Sequence, residues 1–244
     1  GGNGARNYGF KMSQGDYVNW FDSDDLMHKN KLEIQICLLL ESGKYFCVCQ
    51  TMIFKESLNN LMGLRKKSIY SNDPLNDFIQ SKIKWLTQSP IIKSEFIKLN
   101  NLTFHEPLRK AQEYEFFTKV LSIDSDYCYT NKPLVYLRSH DDRISSINYD
   151  FRKNESVFKA SQEILIKLTN RINSESIKVL KNSVINCIFI AYSNSNYKSS
   201  IRMIKNLRKD KLISFFELSI LYLGFLSYMI FGRGYFISKI LKNA

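Results

Sequence analysis

The hydrophobic and polar positions in the first half of the chain follow two different periods, which predicts a mixed α/β domain. Residues 16–21 alternate and are rich in aromatic and β-branched side chains, so we predict a strand there, after a short helix at 4–13. The acidic run 22–25 ends the strand, and a helical period follows over 31–40. In open α/β sheets, ligands bind beyond the carboxyl ends of strands, where this acidic turn would lie.

The same mixture of patterns continues to about residue 150. We predict further strands at 45–54, near 127 and at 134–137, and further helices at 75–85, 93–99 and 109–121. From residue 150 onward the pattern is almost wholly helical. We therefore predict two regions, a catalytic-type α/β domain over 1–148 and a helical C-terminal region over 149–244.

The last region contains a 20-residue apolar run, Leu212 to Phe231, with a single charge at Glu217. About 20 apolar residues can span a membrane. However, Ser214, Glu217, Gly224 and Ser227 fall on one side of a helical wheel, which favours an interfacial helix over a span. Basic residues flank the run on both sides and give no orientation. The remaining alternative is a helix packed within a subdomain.

Charge is distributed unevenly along the chain. The formal net charge is +12, but residues 1–150 carry 19 basic and 18 acidic side chains, whereas residues 151–244 carry 16 and 5. A nearly neutral first part does not fit a simple nucleic-acid-binding protein, and we predict no nucleic-acid partner. The cationic second part favours attachment to an anionic membrane surface.

The acidic turn is the strongest candidate for chemistry. Neighbouring carboxylates repel one another, and a divalent cation such as Mg²⁺ or Mn²⁺ relieves the repulsion by taking carboxylate and substrate phosphate oxygens as ligands. Asp22 and Asp24 are therefore candidate metal ligands. The alternative is that Asp24 and Asp25 cap the following helix, as Asp commonly does.

Several spaced motifs occur in a specific order. The first three are Asn3-Gly4-Ala5-Arg6-Asn7-Tyr8-Gly9, Gly15-Asp16-Tyr17 and Phe21-Asp22-Ser23-Asp24-Asp25. The later ones are Phe104, Glu106 and Leu108, then Gln112-Glu113-Tyr114-Glu115-Phe116, then Tyr136, Arg138, His140, Ser145 and Ser146. Over residues 1 to about 146 this order resembles the family 2 glycosyltransferases of the bacterial surface-polysaccharide type. The resemblance implies a partial GT-A fold, a Rossmann-like α/β nucleotide-diphospho-sugar transferase domain, followed by the helical tail.

The resemblance also implies roles for individual residues. Arg6 would lie near the nucleotide, Asp22 near the ribose or the metal, and Asp24 on a metal that bridges the diphosphate. Glu113 aligns with the catalytic base, although the family more often has Asp there and Glu at the position of Gln112. We expect Glu115 to be a solvated residue that pairs with Lys119 at the next turn.

The last of these motifs, from Tyr136 to Ser146, adds two residues to the expected donor site. Arg138 and His140 would contact the donor, and His140 could also bind the metal, since neutral imidazole is a ligand for Mn²⁺; its alternative is an ordinary hydrogen-bonded loop residue. Trp85 and Thr87 are similar to the family's acceptor-side segment, although a single Trp is more often a packing residue.

The implied activity is an inverting, hexosyltransferase-type transfer of a sugar from a nucleotide-diphosphate donor, preferably a UDP-sugar. The acceptor would be a hydroxyl of a saccharide or lipid-linked molecule in surface-polysaccharide synthesis at the cytoplasmic face of the membrane. In the family a strand-helix-strand unit precedes the motif at Asn3, so we expect residues 1–244 alone to bind donor poorly and to be inactive. Two alternatives stay open, a non-catalytic membrane-binding module and a metal-dependent phosphatase-like hydrolase.

Overall fold

The computed structural model describes residues 1–139 and 149–243 and divides the chain into two compact units. The first unit comprises Gly1–Glu106 and Phe116–Ile147, and the second comprises Pro107–Glu115 and Asn148–Ala244. Strands within the described residues belong to the first unit, and the second is helical. The α/β class with a helical C-terminal region is thereby confirmed, whereas the domain boundary at 148 stays a prediction.

A mixed sheet forms the centre of the first unit. Its strands lie in the order β1-β5-β3-β6-β2, and β4 pairs with β3. Among the strand pairs of the described residues, β3–β6 is parallel and the others are antiparallel. The bounds are β1 (Tyr17–Val18), β2 (Leu26–Met27), β3 (Phe46–Lys55), β4 (Leu61–Leu64), β5 (Pro90–Lys93) and β6 (Cys128–Ser139).

Strand β3 lies in the middle of the sheet, between β5 and β6. Its first six residues are all buried, as expected for a strand that is covered on both faces. Cys47 and Cys49 pack there as small apolar groups and are free thiols. Its partner β6 runs through the region predicted as two short strands. Pro133, which lacks an N–H group, lies opposite Gln50 where the register shifts, so the sequence break is a bulge within one strand.

Five helices begin in or join the first unit. They are α1 (Gly2–Met12), α2 (Lys31–Ser42), α3 (Pro74–Ile79), α4 (Ser94–Leu99) and α5 (Gln112–Ile123), and the division between the units falls within α5. Gly43 ends α2 in the left-handed conformation with φ of 69°, which a glycine adopts at little cost. Phe116 of α5 stacks on Phe104 with ring centroids 4.0 Å apart and meets the Trp20 ring edge-on. This aromatic cluster supports the segment that leads into the acidic turn.

The structure differs from the predicted secondary structure in three ways. The strand predicted at 16–21 is paired only at Tyr17–Val18, because only this part meets β5. The helix predicted at 75–85 ends at Ile79, and Ser81 just beyond it has a positive φ of 59°. The short strands β2, β4 and β5 were not predicted, since stretches of two to four residues are too short to show a period.

The second unit contains five helices with well-formed starts. They are α6 (Phe151–Leu168), α7 (Ser174–Ser193), α8 (Tyr197–Lys209), α9 (Phe215–Phe231) and α10 (Tyr235–Asn243). The side chains of Asp150, Asn173, Asn196 and Ser214 each accept a backbone N–H at the start of a helix, which satisfies donors that a helix leaves open. Among the helices of the described ranges, none combines the length and the apolar character needed to cross a membrane.

Candidate functional site

The acidic turn and helix α1 line an open cleft in the first unit. Its volume is about 660 Å³, which is within the usual range for small-molecule sites. The lining combines a basic residue, carboxylates, an aromatic side chain and small residues of α1 that leave space: Gly2, Ala5, Arg6, Gly9, Trp20, Phe21, Asp22, Ser23 and Asp24. The cleft therefore brings together Arg6, Asp22 and Asp24, which the sequence singled out.

The three carboxylates of the turn have different surroundings. Asp22 is partly exposed and pairs with Arg6, whose Nη2 lies 3.1 Å from Asp22 Oδ1. Asp24 is exposed and lines the cleft, and within residues 1–139 and 149–243 no ion pair engages its carboxylate. Asp25 is buried, accepts the backbone N–H of Arg138 at 2.9 Å and is hydrogen-bonded by the Gln88 amide. Only Asp22 and Asp24 are thus available to a ligand in the cleft.

The buried carboxyl of Asp25 has a structural role in the turn. Burial raises its pKa, and the neighbouring Asp24 and Asp22 raise it further, while the hydrogen bonds from Arg138 and Gln88 act in the opposite direction. The alternative that Asp24 or Asp25 caps the next helix is wrong, because α2 begins at Lys31 and its N-cap is Asn30.

Helix α1 positions Arg6 through two asparagines. Asn3 donates to the carbonyl of His105 at 2.7 Å, and Asn7 exchanges hydrogen bonds with the backbone of Phe104 at 2.9 Å. These bonds tie the helix to the segment that follows α4. The indole N–H of Trp20 donates to the Arg6 carbonyl, and the Arg6 guanidinium lies 5.5 Å from the Phe104 ring centroid. Arg6 is therefore held at the edge of the cleft beside Asp22.

Arg138 lies next to the turn at the end of β6. Its Nε donates to the Asp24 carbonyl at 3.1 Å, and its Nη1 donates to the Glu56 carbonyl at 3.2 Å. The guanidinium also covers the Phe54 ring at 4.8 Å from the centroid. The side chain thus braces the backbone of the acidic turn against β3, and its contact with a donor stays a prediction.

The candidate base Glu113 lies in the first turn of α5 and is partly exposed. Ala111 before it has a positive φ of 61°, and Gln112 donates from its side chain to the Leu108 carbonyl at 2.8 Å. Glu115 is 3% exposed, so the expectation of a solvated Glu115 was wrong. The ammonium of Lys119 instead donates to the Thr103 carbonyl at 2.6 Å. Glu113 stays the predicted base.

Two other predicted contacts have different outcomes. His140, the expected third metal or donor ligand, lies outside the described residues. Trp85 is 1% exposed, donates from Nε1 to the Ile69 carbonyl at 3.0 Å and packs against Phe46, Phe78, Phe117 and Tyr127. It is a core residue, which agrees with the packing interpretation.

The sequence analysis missed a buried polar chain behind the turn. Asp25 is hydrogen-bonded by Gln88, whose carbonyl accepts from Asn19 at 3.0 Å. Asn19 in turn accepts from the fully buried Lys31 at 3.3 Å. Burial lowers the pKa of Lys31 from 10.5 to about 8. The local signal was a pair of polar residues one helical turn apart, Lys31 and Gln35, on the buried face that they share with Leu39.

Comparisons with known proteins show what this α/β fold with its acidic cleft is similar to. Residues 1–98 match the family model described as Glycosyl transferase family 2. The chain is 26% identical over 218 residues to the Rickettsia typhi protein named uncharacterized glycosyltransferase RT0329, covering 87% of this chain and 66% of the relative. Over residues 1–98 the chain is therefore similar to the family 2 glycosyltransferases.

Two further similarities are more distant or more partial. The poly(ribitol-phosphate) beta-glucosyltransferase of Bacillus spizizenii is 26% identical over 192 residues, which are 74% of this chain and 28% of that protein. S. aureus TarS 1-349, solved in complex with UDP-GlcNAc, superposes with a TM-score of 0.59 at 17% identity, covering 84% of this chain and 60% of that one. The TarS similarity shows the fold. The chain spans less than two thirds of each of these relatives.

Proposed function

We propose that the protein takes part in inverting sugar transfer from a nucleotide-diphosphate donor, preferably a UDP-sugar, to a hydroxyl of a saccharide or lipid-linked acceptor in cell-surface polysaccharide synthesis. The observation that carries the proposal is the cleft in which Arg6 and Asp24 face the same space beside the Arg6–Asp22 pair. Two of the similar proteins, a poly(ribitol-phosphate) beta-glucosyltransferase and TarS solved in complex with UDP-GlcNAc, support this choice of donor and acceptor class.

The donor set of the turn fits Mg²⁺ or Mn²⁺. Asp24 presents an exposed carboxylate, and Asp22 has a second oxygen besides the one paired with Arg6. One or two carboxylates together with substrate phosphate oxygens are a usual ligand set for Mg²⁺. We propose that Asp22 and Asp24 hold the ion, with His140 as a further candidate. When bound, the ion would offset charge on the departing nucleoside diphosphate.

The residues of the chain have separate tasks in the proposed mechanism. Arg6, held by Asp22 and over the Phe104 ring, would pair with a phosphate oxygen of the donor. Glu113 would accept the proton of the acceptor hydroxyl as that oxygen attacks the anomeric carbon from the face opposite the diphosphate. Arg138 would keep the Asp24 backbone in place. No covalent sugar–enzyme intermediate is required.

The proposed location is the cytoplasmic face of the membrane, with peripheral attachment through the C-terminal region. There the donor and a lipid-linked acceptor would both be within reach. A non-catalytic membrane-binding module is the second candidate, and the exposed apolar surface of α9 is the observation that favours it. Sugar transfer and membrane attachment are compatible, so the two candidates differ only in whether the cleft is catalytic.

The test compares single variants in a longer form of the protein that extends before Gly1. We expect Asp24→Ala to lower kcat/KM for sugar transfer by about 10²- to 10³-fold, a size typical for the loss of one electrostatic stabiliser. We expect Glu113→Gln to lower kcat by about 10²- to 10⁴-fold, as for a lost general base. Both effects are measured by the rate at which UDP is released from a UDP-sugar in the presence of acceptor.

Two matched variants serve as controls. Asp126→Ala removes an exposed carboxylate that pairs with Lys44, near the start of β6, and Glu115→Gln removes a charge two positions after Glu113. Both should keep transfer within about threefold of the unmodified protein, the range expected away from the reacting groups. If either Asp24→Ala or Glu113→Gln kept near-normal transfer, the role assigned to that residue would be wrong. For residues 1–244 alone we expect weak UDP-sugar binding by calorimetry, and tight binding would contradict that expectation.

A further inference from the structure

Helix α9 differs from an ordinary surface helix because it is apolar almost all round, and its one charged residue, Glu217, lies on the inward side. A surface helix of a globular protein turns its apolar stripe inward and its polar residues outward. In α9, the side that contains Glu217 and Gly224 faces the other helices of the second unit, and large apolar side chains face away from them. The sequence analysis placed Ser214, Glu217, Gly224 and Ser227 on one side of the helix and favoured an interfacial helix on that basis.

The inward side is specifically packed. Glu217, whose side chain is 17% exposed, lies 3.5 Å from the ammonium of Lys181 on α7. At Gly224, an added Cβ would come within 2.9 Å of the Phe189 ring, so only glycine lets the two helices approach this closely. The hydroxyl of Tyr192 donates to the Leu221 carbonyl at 2.9 Å. These contacts fix the rotation of α9, so the direction in which its apolar side points is determined by packing.

The outward side of α9 carries few polar groups, namely the Ser219 hydroxyl and the phenolic hydroxyl of Tyr222. Ser219 lies on that side of the wheel, and its hydroxyl is already bonded to the Phe215 carbonyl at 3.0 Å. The other side chains there are large and mainly apolar, and their exposure is high for such residues: Phe215 85%, Phe216 60%, Tyr222 41%, Leu223 57%, Leu226 50%, Met229 54%, Ile230 68% and Phe231 67%. A contiguous apolar surface of this kind marks an interaction site.

Helix α10 and the flanking cations extend the same feature. In α10, Phe236 and Ile240 are 65% and 50% exposed and lie one turn apart, while Ile237 and Leu241 are buried. Residues 205–243 contain seven basic and two acidic side chains, and one of the acids, Glu217, is paired inside the unit. The exposed cations stand at both ends of α9: Lys205, Arg208, Lys209, Lys211, Arg233 and Lys239.

We propose that the outward side of α9, together with Phe236 and Ile240 of α10, binds the surface of an anionic lipid bilayer, with α9 lying in the plane of the interface. The apolar side chains enter the boundary between headgroups and acyl chains, and the cations at both ends of α9 pair with anionic headgroups. The phenylalanines at the ends of α9 suit this depth, because Phe and Leu are typical of the apolar face of interfacial helices. The positive charge around α9 favours an anionic membrane over a second copy of this chain, since two copies would bring like charges together.

The test is vesicle binding by residues 1–244, measured by flotation with liposomes of phosphatidylcholine and phosphatidylglycerol at about 3:1. We expect the unmodified chain to float with these vesicles. Leu223→Glu combined with Ile230→Glu should weaken binding by about 100-fold, roughly tenfold for each large apolar side chain replaced by a charge. Ile166→Glu is the matched control, because Ile166 is a 52% exposed apolar residue on α6, and it should bind like the unmodified chain.

The cationic component has its own readout. Arg208→Glu combined with Lys211→Glu should weaken binding to anionic vesicles by about tenfold or more and should leave the weaker binding to pure phosphatidylcholine vesicles unchanged. Raising the salt from about 0.1 to 0.5 M should act in the same direction, since exposed charges are screened. Circular dichroism at 222 nm establishes that each variant is folded.

Three outcomes would overturn the proposal. The first is that the unmodified chain does not float with anionic vesicles. The second is that sedimentation equilibrium shows a dimer that Leu223→Glu and Ile230→Glu dissociate, which would assign the surface to a second copy. The third is that a longer form of the protein loses the vesicle binding of residues 1–244, which would show that added chain covers the surface. None of these readouts uses sugar transfer, so the proposed enzyme activity is tested separately.

Discussion

The acidic turn of the first unit and helix α9 of the second differ in what they expose. The turn places carboxylates at an open cleft, and an apolar core lies behind it, with Trp20, Phe104 and Phe116 in mutual contact. Helix α9 instead turns its charged residue inward and exposes phenylalanines and leucines. Like charges gathered at one point repel one another, and apolar surface exposed to water costs free energy, so each of these surfaces is stabilised by a ligand of matching chemistry.

The difference therefore indicates two kinds of ligand. The turn is suited to a cation and to the phosphates of a nucleotide, which carboxylates and an arginine can bind together. Helix α9 is suited to an apolar layer edged with negative charge. The two proposed partners, a nucleotide-sugar donor for the first unit and a lipid surface for the second, therefore rest on the same kind of argument, which is that each surface has groups that the protein itself does not satisfy.

The largest expected effect compares a phenylalanine of each region. Phe116 is fully buried and touches Phe104 and Trp20, whereas Phe215 is 85% exposed. We expect Phe116→Ala to lower the free energy of unfolding by about 3–5 kcal/mol, the usual cost of removing a core aromatic ring. Phe215→Ala should change it by about 0.5 kcal/mol or less. Urea denaturation measures both.

The probes separate the two units. Both tryptophans, Trp20 and Trp85, belong to the first unit, so their fluorescence follows its unfolding, while circular dichroism at 222 nm also follows the helices of the second. A loss of several kcal/mol in Phe215→Ala, seen by circular dichroism, would mean that Phe215 packs against protein. The apolar side of α9 would then be buried like the core around Phe116, and the two regions would not differ in exposure.

The sequence predicted those parts of the fold in which the local pattern decides the structure. Strand β3 and helix α2 have long apolar runs or a clear helical period, and their predicted bounds differ from the observed ones by one or two residues. Strand β5 (Pro90–Lys93) was missed because four residues carry no period, and it becomes a strand by pairing with both β1 and β3. The partners of β5 lie more than 30 residues away in sequence, beyond the range of any local pattern.

The candidate site was predictable in part for the same reason. Arg6, Asp22 and Asp24 stand in short motifs, and the structure brings all three to one cleft. The burial of Asp25 and of Lys31 was not predictable, because it depends on Gln88 and Asn19, which approach from other parts of the sheet. Likewise, α9 is apolar almost all round, and only Phe189 and Lys181 of α7 determine which side points outward.

A smaller effect concerns the buried charges of the two units. Glu217 has Lys181 as an ionic partner, whereas Lys31 is fully buried beside the neutral Asn19 and its pKa is lowered to about 8. Between about pH 8 and 10.5 the unfolded chain holds the Lys31 proton more tightly than the folded one. Stability from this group therefore rises with pH in that window. We expect the rise to be on the order of 1–3 kcal/mol.

The measurement is the difference in unfolding free energy between the unmodified protein and Lys31→Met from pH 7 to 11. Taking the difference cancels the titrating groups that do not interact with Lys31. Cys49 does interact with it, and burial raises the pKa of that thiol to about 11, so the comparison is read below pH 10. The unmodified protein should gain stability relative to Lys31→Met as pH rises. Lys29→Met, at an exposed position two residues earlier, is the matched control. A constant difference for Lys31→Met would show that the ammonium is solvated, and the contrast with Glu217 would disappear.

The smallest expected effect concerns the two ion pairs, Arg6–Asp22 at 3.1 Å and Lys181–Glu217 at 3.5 Å. One partner in each pair is about 40% exposed, so solvent screens the attraction, and we expect Asp22→Asn and Glu217→Gln each to cost about 1 kcal/mol or less. Their consequences should nevertheless differ. In a longer form that extends before Gly1, Asp22→Asn should weaken UDP-sugar binding measured by calorimetry, while Glu217→Gln should not. If Asp22→Asn instead unfolded the first unit and left donor binding per folded molecule unchanged, the carboxylate would serve the fold, and the acidic turn would no longer be a surface shaped for a ligand.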